Sequence, residues 1–160
     1  GQDTSRPRRV ACPCPTTEKI MNILLAVDGS AYTKKMLAYL ATHEELLGGK
    51  NTYTVLTVQA PLPTRARAAL GKDVVDAYHA EEAEKVLAPV SKFLARHGVE
   101  AKRSYKVGSV GETIAKVADT GKFDLLVMGS HGHGAIATLV MGSVTTQVLA
   151  NSTVPVLIVR

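Results

Sequence analysis

The chain has 160 residues, of which 46% are hydrophobic, 4% aromatic and 21% charged. A chain of this length usually forms one domain, and its core is large enough to need no disulfide or metal for stability. No apolar run reaches the roughly 18 residues of a membrane helix, and the first twenty residues lack the apolar core of a secretory signal. We therefore expect a cytoplasmic protein with no membrane partner.

The net charge gives little support for a nucleic-acid partner. Of the formal +5, residues 1–20 contribute +2 and residues 21–160 contribute +3. In the longer part Lys and Arg are mixed with Asp and Glu, Trp is absent and Phe occurs twice, so we expect no nucleic-acid binding. Cys12 and Cys14 are too close for an ordinary disulfide and supply two metal ligands at most. We expect them to be reduced, exposed thiols.

The first twenty residues differ from the rest of the chain. They contain three prolines and show no hydrophobic period, whereas an apolar run opens at Met21. We therefore place the folded domain at residues 21–160. Residues 1–20 are interpreted as a flexible leader, a translated upstream stretch or residues added by cloning.

Short apolar runs alternate with stretches of helical period in the first half of the domain. NILLAV at 22–27 predicts a strand, and a helix capped by Ser30 follows to about Leu47, ended by the glycines at 48–49. TYTVLTV at 52–58 predicts a second strand. After a loop with two prolines, Pro61 and Pro63, we expect a helix from about Asp73 to His97, kinked at Pro89. The faces expected to be buried are Met36, Leu37, Leu40 and Leu47 in the first helix, and Val75, Tyr78, Val86, Val90, Phe93 and Leu94 in the second.

The second half repeats the alternation. EAKRSYK at 100–106 predicts a polar strand, and a helix over about 111–120 is expected to bury Ile114, Val117 and Ala118. DLLVMG at 124–129 predicts a strand buried on both faces. A helix is expected from about Gly142 to Ala150, and VPVLIV at 154–159 predicts the last strand.

Five strands separated by helices predict an α/β fold with a doubly wound parallel sheet and helices on both faces. The first and fourth strands are wholly apolar and belong in the centre, whereas the polar third strand belongs at an edge. With right-handed crossovers these constraints favour the order 3-2-1-4-5, a Rossmann-like arrangement. A ligand is then expected beyond the carboxyl ends of strands 1 and 4, where the winding reverses.

The last strand predicts self-association. It is apolar, yet Pro155 lacks the N–H that a central ladder needs and indicates an edge or a strand start. An uncovered apolar edge favours pairing with another chain, so we expect a homodimer formed through residues 154–159. Shielding of the edge by a helix or loop of the same chain is the alternative.

A glycine-rich pattern lies where the ligand is expected. Gly129 and Gly132 follow the fourth strand, and Gly142 and Ser143 open the last helix. Glycines leave backbone N–H groups unshielded, and a helix N-terminus favours anions, so two phosphate cradles are predicted at one crevice. The interpretation of these glycines as simple turn residues stays open.

The spacing Gly, two residues, Gly, nine residues, then Gly-Ser resembles the ATP-binding signature of the universal stress protein family. The segments AVDGS, VLTV and VPVLIV also resemble that family, so the resemblance extends over nearly all of residues 21–160. It implies an adenine nucleotide alpha hydrolase-like fold, ATP as the ligand with Mg²⁺ carried by the nucleotide, and a homodimer.

The resemblance also implies roles for individual residues. Asp28 and Val58 would hold the adenine and ribose, with backbone groups of Ala26, Val27 and Met128 lining the same pocket. The phosphates would be held by the residues of the signature: Gly129, His131, Gly132, Gly142, Ser143, Val144 and Thr145.

Simpler interpretations remain for several of these residues. Asp28 also fits a turn or helix-entry residue, Val58 a core residue, and Thr145 a solvent-facing helix residue. Two histidines without a third ligand do not predict a metal site. His131 is instead expected on the phosphate side, and His133 is expected in solvent.

The favoured function is a nucleotide-dependent regulatory module of the stress response, acting as a homodimer that signals to an unidentified protein partner. An ATPase or a nucleotidyl or phosphoryl transferase is the alternative, although no Walker Gly-Lys-Ser/Thr motif or evident base is present and any hydrolysis should be slow. GSHGHG also lacks the serine-hydrolase elbow. A partner-binding dimer with a vestigial pocket is the third possibility, so no catalytic residue is predicted.

Overall fold

The structure is a computed structural model that describes residues 20–47, 50–132 and 141–160. Residues 1–19 of the predicted leader, the glycines expected to end the first helix and His133 lie outside the described residues. The elements follow one another in the order β1 (Asn22–Ala26), α1 (Ala31–Thr42), α2 (Glu44–Leu47), β2 (Thr52–Gln59), α3 (Thr64–Leu70), α4 (Lys72–Arg96), β3 (Ala101–Val107), α5 (Val110–Thr120), β4 (Leu125–Gly129), α6 (Ser143–Asn151) and β5 (Val156–Val159).

The five strands form one parallel sheet in the order β3-β2-β1-β4-β5, so the predicted strand order is confirmed. The central strand β1 pairs with β2 on one side and β4 on the other; Leu24 lies opposite both Thr54 and Leu126. The polar strand β3 and the apolar strand β5 occupy the two edges, and Pro155 directly precedes β5, as expected.

Helices cover the sheet on both faces because the side chains of β1 alternate between two cores. Ile23 and Leu25 pack with α1 and α4, through residues that include Met36, Leu40, Leu87 and Leu94. Leu24 and Ala26 pack with α5 and α6, through Ile114, Ala118 and Val148. This alternation explains why β1 is apolar along its whole length.

The helix expected from Ser30 to Leu47 is broken at His43. The Nδ1 atom of His43 lies 2.8 Å from the carbonyl oxygen of Tyr39, and the two rings stack with centroids 4.0 Å apart. The backbone N–H of His43 donates to Leu40 instead, at 3.2 Å. The Thr42 hydroxyl also donates to the Tyr39 carbonyl, at 2.8 Å. Two side chains thus contact the carbonyl that a continuing helix would use, and α2 begins at Glu44. The four residues expected on the buried face are all buried: Met36, Leu37, Leu40 and Leu47.

Two expectations for the region of the long helix are wrong. The predicted loop contains the short helix α3, and Tyr78 is 43% exposed although it was expected in the core. The neighbouring His79 is buried in its place, within a stripe at spacings of three and four: Val75, His79, Ala83, Leu87, Val90 and Leu94. A polar residue can occupy this stripe because Gln59 supplies its hydrogen bonds. The helix continues through Pro89, and no described helix is both long and apolar enough to span a bilayer.

Candidate functional site

A pocket with about 470 Å³ of open space lies at the carboxyl ends of β1, β2 and β4. This is the position where the winding reverses between β1 and β4, and where open α/β sheets bind their ligands. The lining combines strand ends with residues of α1, α5 and α6: Ala26, Val27, Asp28, Thr33, Val58, Val110, Ile114, Met128, Gly129, His131, Gly132, Val144 and Thr145.

Ten of the twelve residues predicted from the sequence line this pocket. The other two, Gly142 and Ser143, lie beside it at the start of α6, where the N–H of Gly142 donates to the carbonyl of Ser130 at 2.8 Å. Thr33, Val110 and Ile114 also line the pocket and were not among the predicted site residues. Val110 and Ile114 could have been predicted from the sequence, because their spacing of four places them on one side of α5, which faces the pocket.

Asp28 is a turn residue, as one of its two interpretations predicted, and it also lies in the pocket lining. Its Oδ1 accepts hydrogen bonds from the N–H of Ser30 at 2.9 Å and from the hydroxyl of Thr33 at 2.8 Å. Thr33 also accepts the N–H of Asp28 at 3.1 Å. Gly29, between Asp28 and Ser30, has φ +77, a conformation that favours glycine. The carboxylate is therefore fixed by the first turn of α1.

Two glycines are in close contact with neighbouring groups at this pocket. A Cβ atom on Gly132 would lie 2.7 Å from Oδ2 of Asp28, so the bonded carboxylate would have to move. A Cβ atom on Gly142 would lie 3.3 Å from Cα of His131 and 3.4 Å from the carbonyl oxygen of Ser130, which is a tight contact with backbone. Glycine at both positions leaves the neighbouring N–H groups unshielded.

The N-terminus of α6 meets the end of β4 through Thr145. The Thr145 hydroxyl is buried and lies 3.2 Å from the carbonyl oxygens of both Gly129 and Ser130, to which it donates. The interpretation of Thr145 as a solvent-facing residue is therefore wrong. Since the first bond of the helix runs from Thr146 to Gly142, the N–H groups of residues 143–145 stand outside its ladder, as at the start of any helix.

His131 is held in place on the open side of the pocket. Its Nδ1 lies 2.8 Å from the hydroxyl oxygen of Ser130, and its ring centroid lies 4.9 Å from that of Tyr32. The Nζ atom of Lys35 lies 4.8 Å from the Tyr32 ring. The imidazole is thus oriented by contacts on two sides.

The described lining contains one carboxylate, Asp28, and one imidazole, His131, but neither Lys nor Arg. The neighbouring segment 133–140, HGAIATLV, also has no Lys or Arg in its sequence. Within the described ranges, no group of three or more His, Cys, Asp or Glu residues is arranged as a metal site. An anion in this pocket would be balanced mainly by backbone N–H groups and by the positive end of α6.

The fold and the pocket define a class: a doubly wound α/β protein whose glycine-lined crevice lies at the reversal between β1 and β4. The sequence model of the universal stress protein family matches residues 19–160. The chain belongs to the universal stress protein family.

Two relatives and one solved structure show the extent of the similarity. Universal stress protein Slr1230 of Synechocystis is 34% identical over 157 residues, which cover 96% of this chain and 48% of that protein. A universal stress protein of Thermus aquaticus is 32% identical and is covered over 97% of its length by 86% of this chain. The structure of the hypothetical protein MJ0577 of Methanocaldococcus jannaschii superposes with a TM-score of 0.73 at 26% identity, over 88% of this chain and 96% of that one. This chain thus spans about half the length of Slr1230 and nearly all of the Thermus protein.

Other structures with the same fold contain adenine nucleotides. One universal stress protein was solved with cAMP (24% identity, TM-score 0.63), and one from Archaeoglobus fulgidus with dAMP (23% identity, TM-score 0.59). A family member from Arabidopsis thaliana was solved with AMP (17% identity, TM-score 0.56). Each match covers at least 86% of this chain and 90% of the other. At these identities the similarity defines the fold alone.

Proposed function

We propose that this protein binds ATP, with Mg²⁺ carried by the nucleotide, and acts as a homodimeric regulatory module of the stress response. The observation that carries the proposal is the close approach of Gly132 to Asp28 and of Gly142 to His131 and Ser130. These contacts form a tight crevice at the point where the α/β fold receives a ligand.

The base and ribose would occupy the inner part of the pocket. Val58, Ile114 and Met128 provide apolar walls for a purine ring. Asp28 presents a fixed carboxylate, whose oxygens can accept hydrogen bonds from ribose hydroxyls. An apolar wall combined with one oriented polar group is typical of small-molecule sites.

The phosphates would lie against the N-terminus of α6. The N–H groups of Ser143, Val144 and Thr145 stand outside the helical ladder, and the Ser143 side chain is exposed beside the pocket. Because the described lining has no Lys or Arg, a triphosphate would retain much of its charge there. A Mg²⁺ ion bound by the phosphates themselves supplies the missing positive charge.

The complexes of other family members with cAMP, dAMP and AMP support an adenine nucleotide as the ligand class. A regulatory role is favoured over catalysis because the described pocket presents a carboxylate already committed to Ser30 and Thr33 and no lysine or arginine to stabilise a transferred phosphoryl group.

The first experiment identifies the ligand. The protein is purified without added nucleotide and denatured, and the released small molecules are separated and weighed by mass spectrometry. Mg-ATP is then titrated into the emptied protein by calorimetry. We expect adenine nucleotide near one molecule per chain, or saturable Mg-ATP binding. Failure of both would overturn the proposal and favour a partner-binding dimer with a vestigial pocket, whereas turnover of the bound ATP would favour a slow ATPase.

Two substitutions test where the phosphates lie. Gly142→Val should weaken Mg-ATP binding at least tenfold, because a side chain there meets His131 and Ser130. Ser143→Ala should weaken binding by a smaller factor, as expected for the loss of one hydroxyl donor. Ser104→Ala on β3, remote from the pocket, is the matched control for the serine. Wild-type affinity in both site variants would show that the phosphates bind elsewhere.

The proposed dimer joins two chains through β5. The carbonyls of Pro155 and Val159 accept hydrogen bonds from the N–H groups of Leu126 and Ser130, on the β4 side. Because the backbone N–H and C=O groups of successive residues in a strand point to opposite sides, those of Val156 and Ile158 point towards the open edge. Ile158→Pro removes one of these outward N–H groups and leaves the β4 ladder intact. We expect a dimer for the wild type and a monomer for this variant in sedimentation velocity. A wild-type monomer, or a variant that still dimerises, would contradict the proposal.

A further inference from the structure

A second cavity, with about 710 Å³ of open space, lies at the carboxyl ends of β2 and β3, on the side covered by α4. Its polar lining is formed by Arg67, Lys72, Asp76 and His79. The cavity is separate from the nucleotide pocket: Val58 lines that pocket, whereas the next residue, Gln59, is bonded to His79 of α4. Successive side chains of a strand point to opposite faces, so the two cavities flank one strand end.

Gln59 fixes the protonation pattern of the His79 ring. The Gln59 amide nitrogen donates to the backbone carbonyl of His79 at 2.9 Å, and its Oε1 lies 3.0 Å from Nδ1 of the same residue. Since the amide nitrogen is committed to the carbonyl, Oε1 must accept, and Nδ1 must carry the hydrogen. Nε2 is then the ring nitrogen available to a ligand, as a hydrogen-bond acceptor in the neutral ring.

His79 is 4% exposed and lines the second cavity. In the described part of the chain, no residue forms a hydrogen bond with Nε2 of this ring. Among the described residues, the buried side-chain nitrogen and oxygen atoms that lack a partner belong to Ser30 and Ser91. Nε2 of His79 is therefore open to the cavity, where a ligand with a donor group can reach it.

Two cations border the cavity without a carboxylate partner. Arg67 donates to the Thr64 hydroxyl at 3.2 Å, and among the described residues neither it nor Lys72 forms an ion pair. Lys85, farther along α4, is paired with Glu82 at 2.8 Å. The two basic side chains at the cavity are thus available to an external anion.

Apolar groups form the rest of the wall. Pro61 and Val75 line the cavity beside Val107, which is 42% exposed at the end of β3. Asp76 adds one acidic group, which disfavours a second negative charge on the ligand and accepts a donor group. The lining of the cavity therefore favours a ligand that has one anionic group, an apolar body and a hydrogen-bond donor.

We propose that this cavity is a second ligand site that binds a small carboxylic acid with an apolar body and a hydroxyl or ammonium group. Arg67 and Lys72 bind the carboxylate, Pro61 and Val107 contact the apolar body, and Nε2 of His79 accepts the donor group. The site is independent of nucleotide binding.

The test uses 4-hydroxybenzoate, which combines these three features, and the full chain labelled with ¹⁵N and ¹³C. In NMR titrations we expect saturable shifts of Nε2 of His79 and of the Val107 methyl groups, with and without Mg-ATP. The double variant Arg67→Gln/Lys72→Gln should weaken this binding at least tenfold. Both residues are exposed, so the variant is expected to fold, which circular dichroism checks.

The matched control is Lys92→Gln/Arg96→Gln, which removes two exposed cations from α4 away from the cavity. It should bind 4-hydroxybenzoate as the wild type does. Absence of saturable shifts at His79, or equal weakening in the two double variants, would overturn the proposal. Because the readout is at His79 and Val107, a failure here is distinct from a failure of ATP to bind at Asp28 and α6.

Discussion

The hydroxyl of Thr33 lies 2.8 Å from Oδ1 of Asp28 and 3.1 Å from the backbone nitrogen of the same residue. The hydroxyl donates to the carboxylate and accepts from the N–H, so one side chain of α1 fixes both the backbone and the side chain of Asp28. Thr33 is 5% exposed and also lines the pocket. It therefore positions Asp28 for the proposed nucleotide.

Thr33→Val should impair both stability and binding. Valine keeps the shape but leaves the Asp28 N–H without its acceptor, which should lower the free energy of unfolding by about 1–3 kcal/mol. We expect Mg-ATP affinity to fall about tenfold, since the carboxylate is no longer oriented. Urea denaturation and calorimetry measure the two effects. Thr33→Ser retains the hydroxyl and should restore affinity; a serine variant as weak as valine would argue against this role.

Gly132→Ala should displace the same carboxylate from the other side. Its Cβ would lie 2.7 Å from Oδ2 of Asp28, and the carboxylate cannot withdraw without weakening its bonds to Ser30 and Thr33. We expect about a tenfold loss of Mg-ATP affinity in calorimetry. The loss of Mg-ATP affinity in the Thr33→Val/Gly132→Ala double variant should be smaller than the sum of the two single losses in free energy, because both substitutions act on the Asp28 carboxylate. Full additivity would show that they act separately.

Gly129→Ala should destabilise the fold through α1. Its Cβ would meet Cβ of Tyr32 at 2.7 Å and the Tyr32 backbone at 3.2 Å, so the helix must shift away from β4. Such overpacking costs about 1–3 kcal/mol of unfolding free energy. Gly108→Ala is the control, since its Cβ would meet only the rotatable Thr113 hydroxyl at 3.0 Å. Thermal and urea unfolding compare the two variants, and equal stability would refute the expected clash.

Tyr53 should make the fold sensitive to alkali. Burial raises the pKa of its phenol above the ordinary value, against a smaller lowering by a hydrogen bond with Asn51. The folded state therefore holds this proton more tightly than the unfolded state does. The corresponding stability is fully present below about pH 10 and is lost as the pH rises through the folded pKa.

Tyr53→Phe removes both the titrating group and the hydrogen bond to the carbonyl of Leu46. We expect a loss of about 1 kcal/mol at neutral pH. Between pH 9 and 11, the urea midpoint of the variant should fall less steeply than that of the wild type. Parallel slopes would show that Tyr53 does not control the alkaline transition.

The strands and their order were predictable because burial on both faces leaves a direct mark in the sequence. NILLAV and DLLVMG are continuous apolar runs and occupy β1 and β4, whereas the polar EAKRSYK lies at an edge. The glycine spacing similarly predicted the position of the crevice, where a Cβ atom on Gly129 or Gly132 would lie 2.7 Å from Tyr32 or Asp28.

The errors arose where a polar side chain has a specific hydrogen-bond partner. His79 is buried because Gln59, twenty residues earlier, supplies its hydrogen bonds, and periodicity alone favoured the more apolar Tyr78. At the end of α1, the side chains of Thr42 and His43 both contact the Tyr39 carbonyl that a continuing helix would use. Thr33 escaped notice because its role depends on the turn at Gly29. None of these contacts is encoded in hydrophobic period or motif spacing.

The two edges of the sheet differ in a way that bears on how far assembly can proceed. Lys102 and Lys106 are exposed on β3, where Arg103 is paired with Glu84, whereas β5 is the apolar run VLIV. In the proposed dimer both apolar edges pair at the centre of a joined ten-stranded sheet, and two exposed lysines lie at each outer edge. A third copy meets repulsion instead of a complementary strand. The proposed dimer would therefore be self-limiting, because neither outer edge offers an apolar strand from which a filament could grow.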